Sequence, residues 1–296
     1  MAALATAVLV ASAPAAPAVL DAPVTAQQSQ DVGPFTKDGA MPHVVRLARR
    51  IGVRVRGTVG ERKGARYVAG RFRAMGYSVN VQKFPVDGRT SRNVVAWWPG
   101  ARRYPVVIGG HMDTVAGSPG ANDNASGVAV VLEIARLVAG TPKAGFVRFV
   151  AFGSEEYGAN GLHHVGSQVF VNRLKKEGRR RLAGMISVDM IADGRPLIVA
   201  TAGIGPPAIA DRFAAIARAR DIGVDRQTTC DCSDNGPFER AGITAAFLWS
   251  GSEPNYHDDS DKVRNMKPQD LVRTGRAVRY FVKKLDVRML RGFRRS

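Results

Sequence analysis

Cysteine is nearly absent: among 296 residues only Cys230 and Cys232 carry a thiol, one residue apart. A zinc site made of cysteine alone needs more thiolates than this. The pair can close a short local disulfide or stay reduced. Long apolar runs are missing after the first 20 residues, and Pro14 and Pro17 interrupt that one, which argues against a membrane-spanning helix. Aromatic-interleaved basic stripes are missing too. Lys and Arg outnumber Asp and Glu by 43 to 25, a formal charge of +18. The basic residues are nevertheless scattered, as at Arg46, Arg49, Arg50, Arg54 and Arg56, with no nucleic-acid motif beside them. The excess therefore reads as a cationic surface, drawn at most weakly to anionic surfaces, and no nucleic-acid partner is expected. No Gly-x-Ser-x-Gly elbow is present, which removes the common serine-hydrolase pattern. Gly203-Ile-Gly205-Pro-Pro-Ala208 has the outline of a dinucleotide turn, but Pro206 and Pro207 delete two N–H groups that a diphosphate would need.

What is present is an ordinary globular composition, 45% hydrophobic and 23% charged, able to bury a sizeable core. Residues 1–26 read as an export signal: Met1 to Leu20 is uncharged and rich in Ala, Val and Leu. Small-residue cleavage candidates follow at Ala11-Ser12-Ala13 and Val24-Thr25-Ala26, although a basic start is missing. That reading makes the protein secreted or extracytoplasmic. Residues 27–36 form a polar linker, 37–287 one domain, and 288–296 a basic tail. Within 37–287, β-rich runs at 78–84, 94–98, 106–109, 147–152, 185–188, 197–200 and 243–249 alternate with helical patterns at 43–50, 65–75, 125–137, 168–175, 207–219 and 268–285. Such alternation predicts an α/β fold. It is a single domain with a mixed, largely parallel central sheet flanked by helices and no inserted second domain.

Several strands end in the same kind of residue. Val106 to Asp113 is an apolar strand ending in His111-x-Asp113, whose side chains share a face in an extended chain. Asp113 is placed to accept the spare imidazole proton of His111 and fix its tautomer. Gly120-Ala-Asn-Asp123-Asn-Ala-Ser-Gly127 leads into a helix; it reads either as a cap or as a carboxylate, Asp123, held toward a metal. Val147 to Glu156 is a strand followed by adjacent acids, Glu155 and Glu156, which repel each other unless a cation or different roles separate them. Ile186 to Asp189 is a third strand ending in an acid, and Tyr256-His257 follows a fourth. Ligands of open α/β sheets gather at carboxyl strand ends, and this nitrogen and oxygen set suits zinc. A bridging Asp123 would leave His111 and Asp189 on one ion and Glu156 and His257 on the other.

The chain resembles the di-zinc aminopeptidase family of secreted bacterial leucyl aminopeptidases, related to the prostate membrane carboxypeptidase and to glutaminyl cyclases. The matching elements are Gly-His111-Met-Asp113-Thr, Gly-Ala-Asn-Asp123-Asn-Ala-Ser-Gly, Glu155-Glu156, Val-Asp189-Met, Ser233-Asp234-Asn-Gly-Pro-Phe and Tyr256-His257. The resemblance implies His111, Asp123, Glu156, Asp189 and His257 as metal ligands for two zinc ions, with Asp113 behind His111. It implies Glu155 as general base and Tyr256 as a hydroxyl donor to the tetrahedral intermediate, in an enzyme that hydrolyses the amino-terminal peptide bond of peptides and proteins. It also implies a cis Asp123–Asn124 bond. A glutaminyl-cyclase-like acyltransferase and a non-catalytic binding relative are the alternatives. Between Glu156 and Gly166 the chain is longer than the family pattern, and the added histidines, His163 and His164, read as loop or helix-face residues rather than ligands.

Overall fold

The computed structural model describes residues 32–101, 104–158, 160–251 and 253–296. The apolar runs become strands, in order β1 (Ser78–Val86), β2 (Arg89–Trp97), β3 (Val106–His111), β4 (Val147–Phe152), β5 (Gly184–Val188), β6 (Leu197–Thr201), β7 (Val224–Thr228) and β8 (Ala245–Trp249). They form one mixed sheet of order β1-β2-β4-β3-β5-β8-β6-β7. Its centre, β4-β3-β5-β8, is parallel throughout, whereas β2 joins β4 and β6 joins β8 antiparallel. Strands covered on both faces need no polar alternation, and every residue of β3 and β5 is buried.

Successive side chains along these strands feed two cores. Val106 and Ile108 of β3 join the larger core with the helices Val59–Ala74, Gly127–Val138, Ala208–Arg218 and Pro268–Lys284. Val107 points the other way, to Val150, Phe152, Phe170 and Phe238. The α/β fold with helices on both faces thus follows from period-two alternation within mainly apolar strands.

Three segments differ from the sequence reading. The edge strand β7, Val-Asp-Arg-Gln-Thr, was not expected: among the described residues it pairs only with β6 and has no second neighbour demanding an apolar pattern. Residues 288–296, read as a basic tail, instead contribute to the helix Val287–Phe293, capped by Asp286 Oδ1 accepting from Met289 N at 2.7 Å. Its Leu290 and Phe293 are buried, and Phe293 stacks on Phe281. Arginines at every third position, 288, 291 and 294, hid that apolar pair. In the stretch read as a linker, Val32 and Phe35 are likewise buried in the larger core. The export signal and residues 27–31 lie outside the described residues. No helix among the described residues is long and apolar enough to cross a membrane.

Candidate metal centre

Because the four central strands run the same way, their carboxyl ends open on one edge of the sheet. β3 ends in His111; β4 is followed by Glu155 and Glu156; β5 hands over directly to Asp189; the loop after β8 carries His257. Three non-glycine residues at these ends adopt left-handed backbone, Ser154 (φ 56°), Met190 (φ 49°) and His257 (φ 59°). Each costs on the order of 1 kcal/mol and turns the chain sharply where a site residue must face inward.

Asp123 arrives from the segment before the helix Gly127–Val138. Its neighbour Asn124 donates from Nδ2 to Val188 O at 2.9 Å and accepts from Gly127 N at 2.8 Å. The capping role is thus taken by Asn124, which leaves the Asp123 carboxylate free to face the cluster. A side chain at Gly127 would run into the Val188 carbonyl and the Asn124 amide, so glycine is required there. The Asp123–Asn124 bond is cis. Asp261, which nothing in the sequence singles out, accepts from Asn122 N at 2.7 Å and Asp123 N at 3.0 Å and holds the segment in place.

The donor atoms meet in two groups that share one residue. His111 Nε2 lies 3.2 Å from Asp123 Oδ1 and 3.2 Å from Asp189 Oδ1. His257 Nε2 lies 3.4 Å from Asp123 Oδ2 and 3.0 Å from Glu156 Oε2. Asp123 therefore turns one oxygen to each group. Ligands roughly 2.0–2.1 Å from a tetrahedral ion lie about 3.3–3.4 Å from one another, close to these separations. Glu156 Oε1 and His257 Nε2 are buried without a hydrogen bond, as expected of atoms whose partner is an ion. The side chains fit a pair of divalent cations. A third grouping, His111 with Glu155 and Glu156, also lies within ligating range. There the Glu155 Oε2 to His111 Nε2 distance is longer, 3.8 Å.

Electrostatics agree with that fit. Burial drives Glu156 up to about 7, helped by the Asp123 charge. Burial also pushes Glu155 well above the usual carboxylate range, with Glu156, Asp189 and Asp234 adding to it against the opposing pull of His111. His111 is held up despite its burial by Asp189, Glu155 and Asp123. Four carboxylates around two imidazoles are poorly compensated by themselves, and cations among them reverse the balance.

The remaining residues surround this core. Asp113 is 3.8 Å from His111 Nδ1, an ion-pair separation rather than the expected hydrogen bond. Its oxygens accept instead from Glu155 N at 3.1 Å and Glu156 N at 3.2 Å, so Asp113 fixes the backbone of the acid pair. His111 Nδ1 faces the Asp113 backbone oxygen at 3.3 Å. Ser233 Oγ donates to Asp189 Oδ2 at 2.9 Å, turning Oδ1 toward His111. Tyr256 stacks on the His257 ring at 3.7 Å between centroids. Its phenol is pushed up by burial and by the Asp123 and Glu156 charges, which keeps it a proton donor. A cleft of about 170 Å³ opens over the cluster, with Met190, Phe247, Trp249 and the Cys230–Cys232 disulfide on its walls. A larger cavity of about 370 Å³, lined by Lys176, Arg179, Arg180 and Arg294, presents no carboxylate side chain or imidazole. His163 and His164 are not among the metal-binding groupings of the described residues. His164 is nonetheless buried, with Nε2 2.9 Å from Glu155 Oε1.

Residues 93–282 match the model of Peptidase family M28, and the chain belongs to that family. It is 30% identical over 298 residues to leupeptin-inactivating enzyme 1 of Streptomyces exfoliatus, covering 91% of this chain and 66% of that one. It is 32% identical over 202 residues to aminopeptidase YwaD of Bacillus subtilis, covering 63% of this chain and 43% of the relative. The chain thus spans about two thirds or less of these relatives' lengths. Among solved structures it is similar to BSAP, a zinc aminopeptidase from Bacillus subtilis, with a TM-score of 0.77 at 20% identity over 86% of this chain and 97% of that one. A Bacteroides thetaiotaomicron glutaminyl cyclase bound to N-acetylhistamine gives a TM-score of 0.76 at 21% identity, over 86% of this chain and 99% of that one. Two differently named activities share the fold, so the fold alone does not choose between them.

Proposed function

We propose that the protein is a zinc-dependent aminopeptidase that hydrolyses the amino-terminal peptide bond of peptides and proteins. One observation carries the reading: the two oxygens of Asp123 face two separate groups, His111 with Asp189 and Glu156 with His257. In this reading those five residues hold two zinc ions. When bound, the ions supply Lewis acidity toward the scissile carbonyl and bring a water near neutral pKa. Glu155 takes the proton of the attacking water and returns it to the leaving amine. Tyr256 donates its hydroxyl proton to the carbonyl oxygen as charge gathers there. The aromatic and sulfur-lined wall of the cleft receives an apolar first side chain. The likeness to an aminopeptidase at 32% identity supports peptide hydrolysis.

The purified protein is expected to hold about two zinc ions per chain by elemental analysis and to lose aminoacyl-anilide hydrolysis to a chelator, regaining it with zinc. Full activity with no divalent metal present would end this reading. An aminoacyl-anilide panel run beside an amino-terminal glutaminyl peptide separates hydrolysis from cyclisation. We also propose that the protein acts outside the cytoplasm, in keeping with its uncharged first 20 residues and its disulfide. Amino-terminal sequencing of exported material should find a start between about residues 14 and 35; Met1 retained there would contradict it.

A further inference from the structure

The loop after Glu156 does not drift into solvent; it returns a histidine to the acid pair. His164 N donates to Glu155 O at 2.7 Å and Val165 N to Ser154 O at 2.8 Å, so both ends of the loop are fastened together. Arg56, paired with Asp87, donates to Glu156 O at 3.1 Å and to Leu162 O at 2.7 Å, tying its start to its far side. At the end of the loop His164 has φ 52°, and this left-handed turn sends its ring back under the sheet edge. The ring is buried, with Nε2 2.9 Å from Glu155 Oε1.

We propose that His164 is the positioning residue for Glu155, donating from Nε2 to Oε1 and so turning Oε2 toward the metal cluster. The assignment rests on the reading of Glu155 as general base. Oε2 already lies on the cluster side, 3.8 Å from His111 Nε2. An unrestrained glutamate beside two ions would be free to swing onto one of them; a donor on its far oxygen opposes that and leaves the near oxygen for the water proton. Burial, with the neighbouring His163, His111 and Arg240, drives His164 down to about 3, so the donor is a neutral imidazole. A neutral ring has one N–H. If Nε2 carries it, Nδ1 must accept, and His163 Nδ1 stands 3.0 Å away to donate. His163 is in turn held by its ring contact with Tyr157 at 4.4 Å. The rival arrangement has the ring N–H donate to the Cys232 backbone carbonyl instead, with Asp231 Oδ1 4.0 Å from Nδ1.

Three measurements on the zinc-loaded full chain test this. Asparagine tolerates left-handed backbone but is too short to reach Glu155. His164→Asn should therefore keep zinc content and melting temperature while lowering kcat roughly 10- to 100-fold, with KM changed by less than about threefold. His164→Gln, whose amide can reach the position of Nε2, should recover most of the loss. In a Glu155→Gln background, His164→Asn should cost less than about twofold more, because both act through one carboxylate. Nitrogen-15 spectra of the histidine-labelled, unmutated protein should show His164 neutral with its proton on Nε2, and that signal should move in Glu155→Gln. An unchanged kcat in His164→Asn, zinc lost in step with kcat, or a proton on Nδ1 would each overturn the proposal. The spectra need no mutant at position 164, so a variant that failed to fold would not shelter it. Glu155→Gln inactive beside a fully active His164→Asn sinks only the positioning role. Glu155→Gln as active as the parent sinks the base assignment and the positioning role with it.

Discussion

Glu155→Gln is expected to retain both zinc ions and the parent's melting temperature while losing on the order of 10²–10⁴ in kcat. The two adjacent glutamates have the same composition and nearly the same burial, and geometry alone separates them. Glu156 Oε2 sits 3.0 Å from His257 Nε2, within the separation of two ligands on one ion, and its Oε1 is an unpartnered buried oxygen. Glu155 keeps 3.8 Å from His111 and turns its other oxygen to His164. Glutamine preserves the size of either side chain but cannot accept a proton as a base. At position 155 the cost therefore falls on turnover, and at 156 on occupancy of one metal site. Zinc titration beside steady-state kinetics on the two variants reads this directly. Metal lost from Glu155→Gln, with metal kept but turnover lost in Glu156→Gln, would reverse the assignment.

The legible part of the site was the part carried by strand ends. His111, Glu155, Glu156 and Asp189 each follow a mainly apolar run, and such runs lie parallel at the sheet centre, so their ends had to meet. Asp123 was harder to read, because Asp, Asn and Ser before a helix also satisfy free N–H groups; the structure gives capping to Asn124 and leaves Asp123 to the cluster. The supports could not be read. Asp261 accepts from the Asp123 backbone across a separation of 138 residues, and no local pattern announces such a contact. His164 reads as a loop residue because its burial depends on a left-handed turn, uncommon outside glycine, that no local pattern announces. Edge strand β7 and the helix Val287–Phe293 were missed for a related reason. Polar side chains dominate β7, and arginines flank each apolar residue of the helix, so the apolar contacts of both are set by what they pack against rather than by their own periodicity.

Arg54 was counted among the scattered surface arginines, yet it is fully buried, and its removal should be the most damaging single change to stability. Its Nε donates to Met112 O at 2.8 Å, just past His111. Nη1 donates to Gly52 O at 2.8 Å and Pro119 O at 2.7 Å, and Nη2 to Gly120 O at 2.9 Å. The guanidinium thereby fastens the end of β3 to the segment that delivers Asp123. Burial lowers it only to about 10, against the support of Asp261, Asp113 and Asp123, so it remains a cation at neutral pH. Arg54→Met fills much of the same volume but leaves those buried carbonyls without donors and removes a positive charge from beneath the carboxylates. A loss of about 3–5 kcal/mol is expected, read as a lower urea midpoint at unchanged m on chelated protein, where metal binding contributes nothing. Arg54→Lys keeps the charge but gives up the planar fork, so it should fall between the two. If Arg54→Met unfolded within about 1 kcal/mol of the parent, the carbonyls must find other donors and the fastening role would be wrong. If Arg54→Lys matched the parent while Arg54→Met did not, charge rather than the hydrogen-bond fork would be what this position contributes.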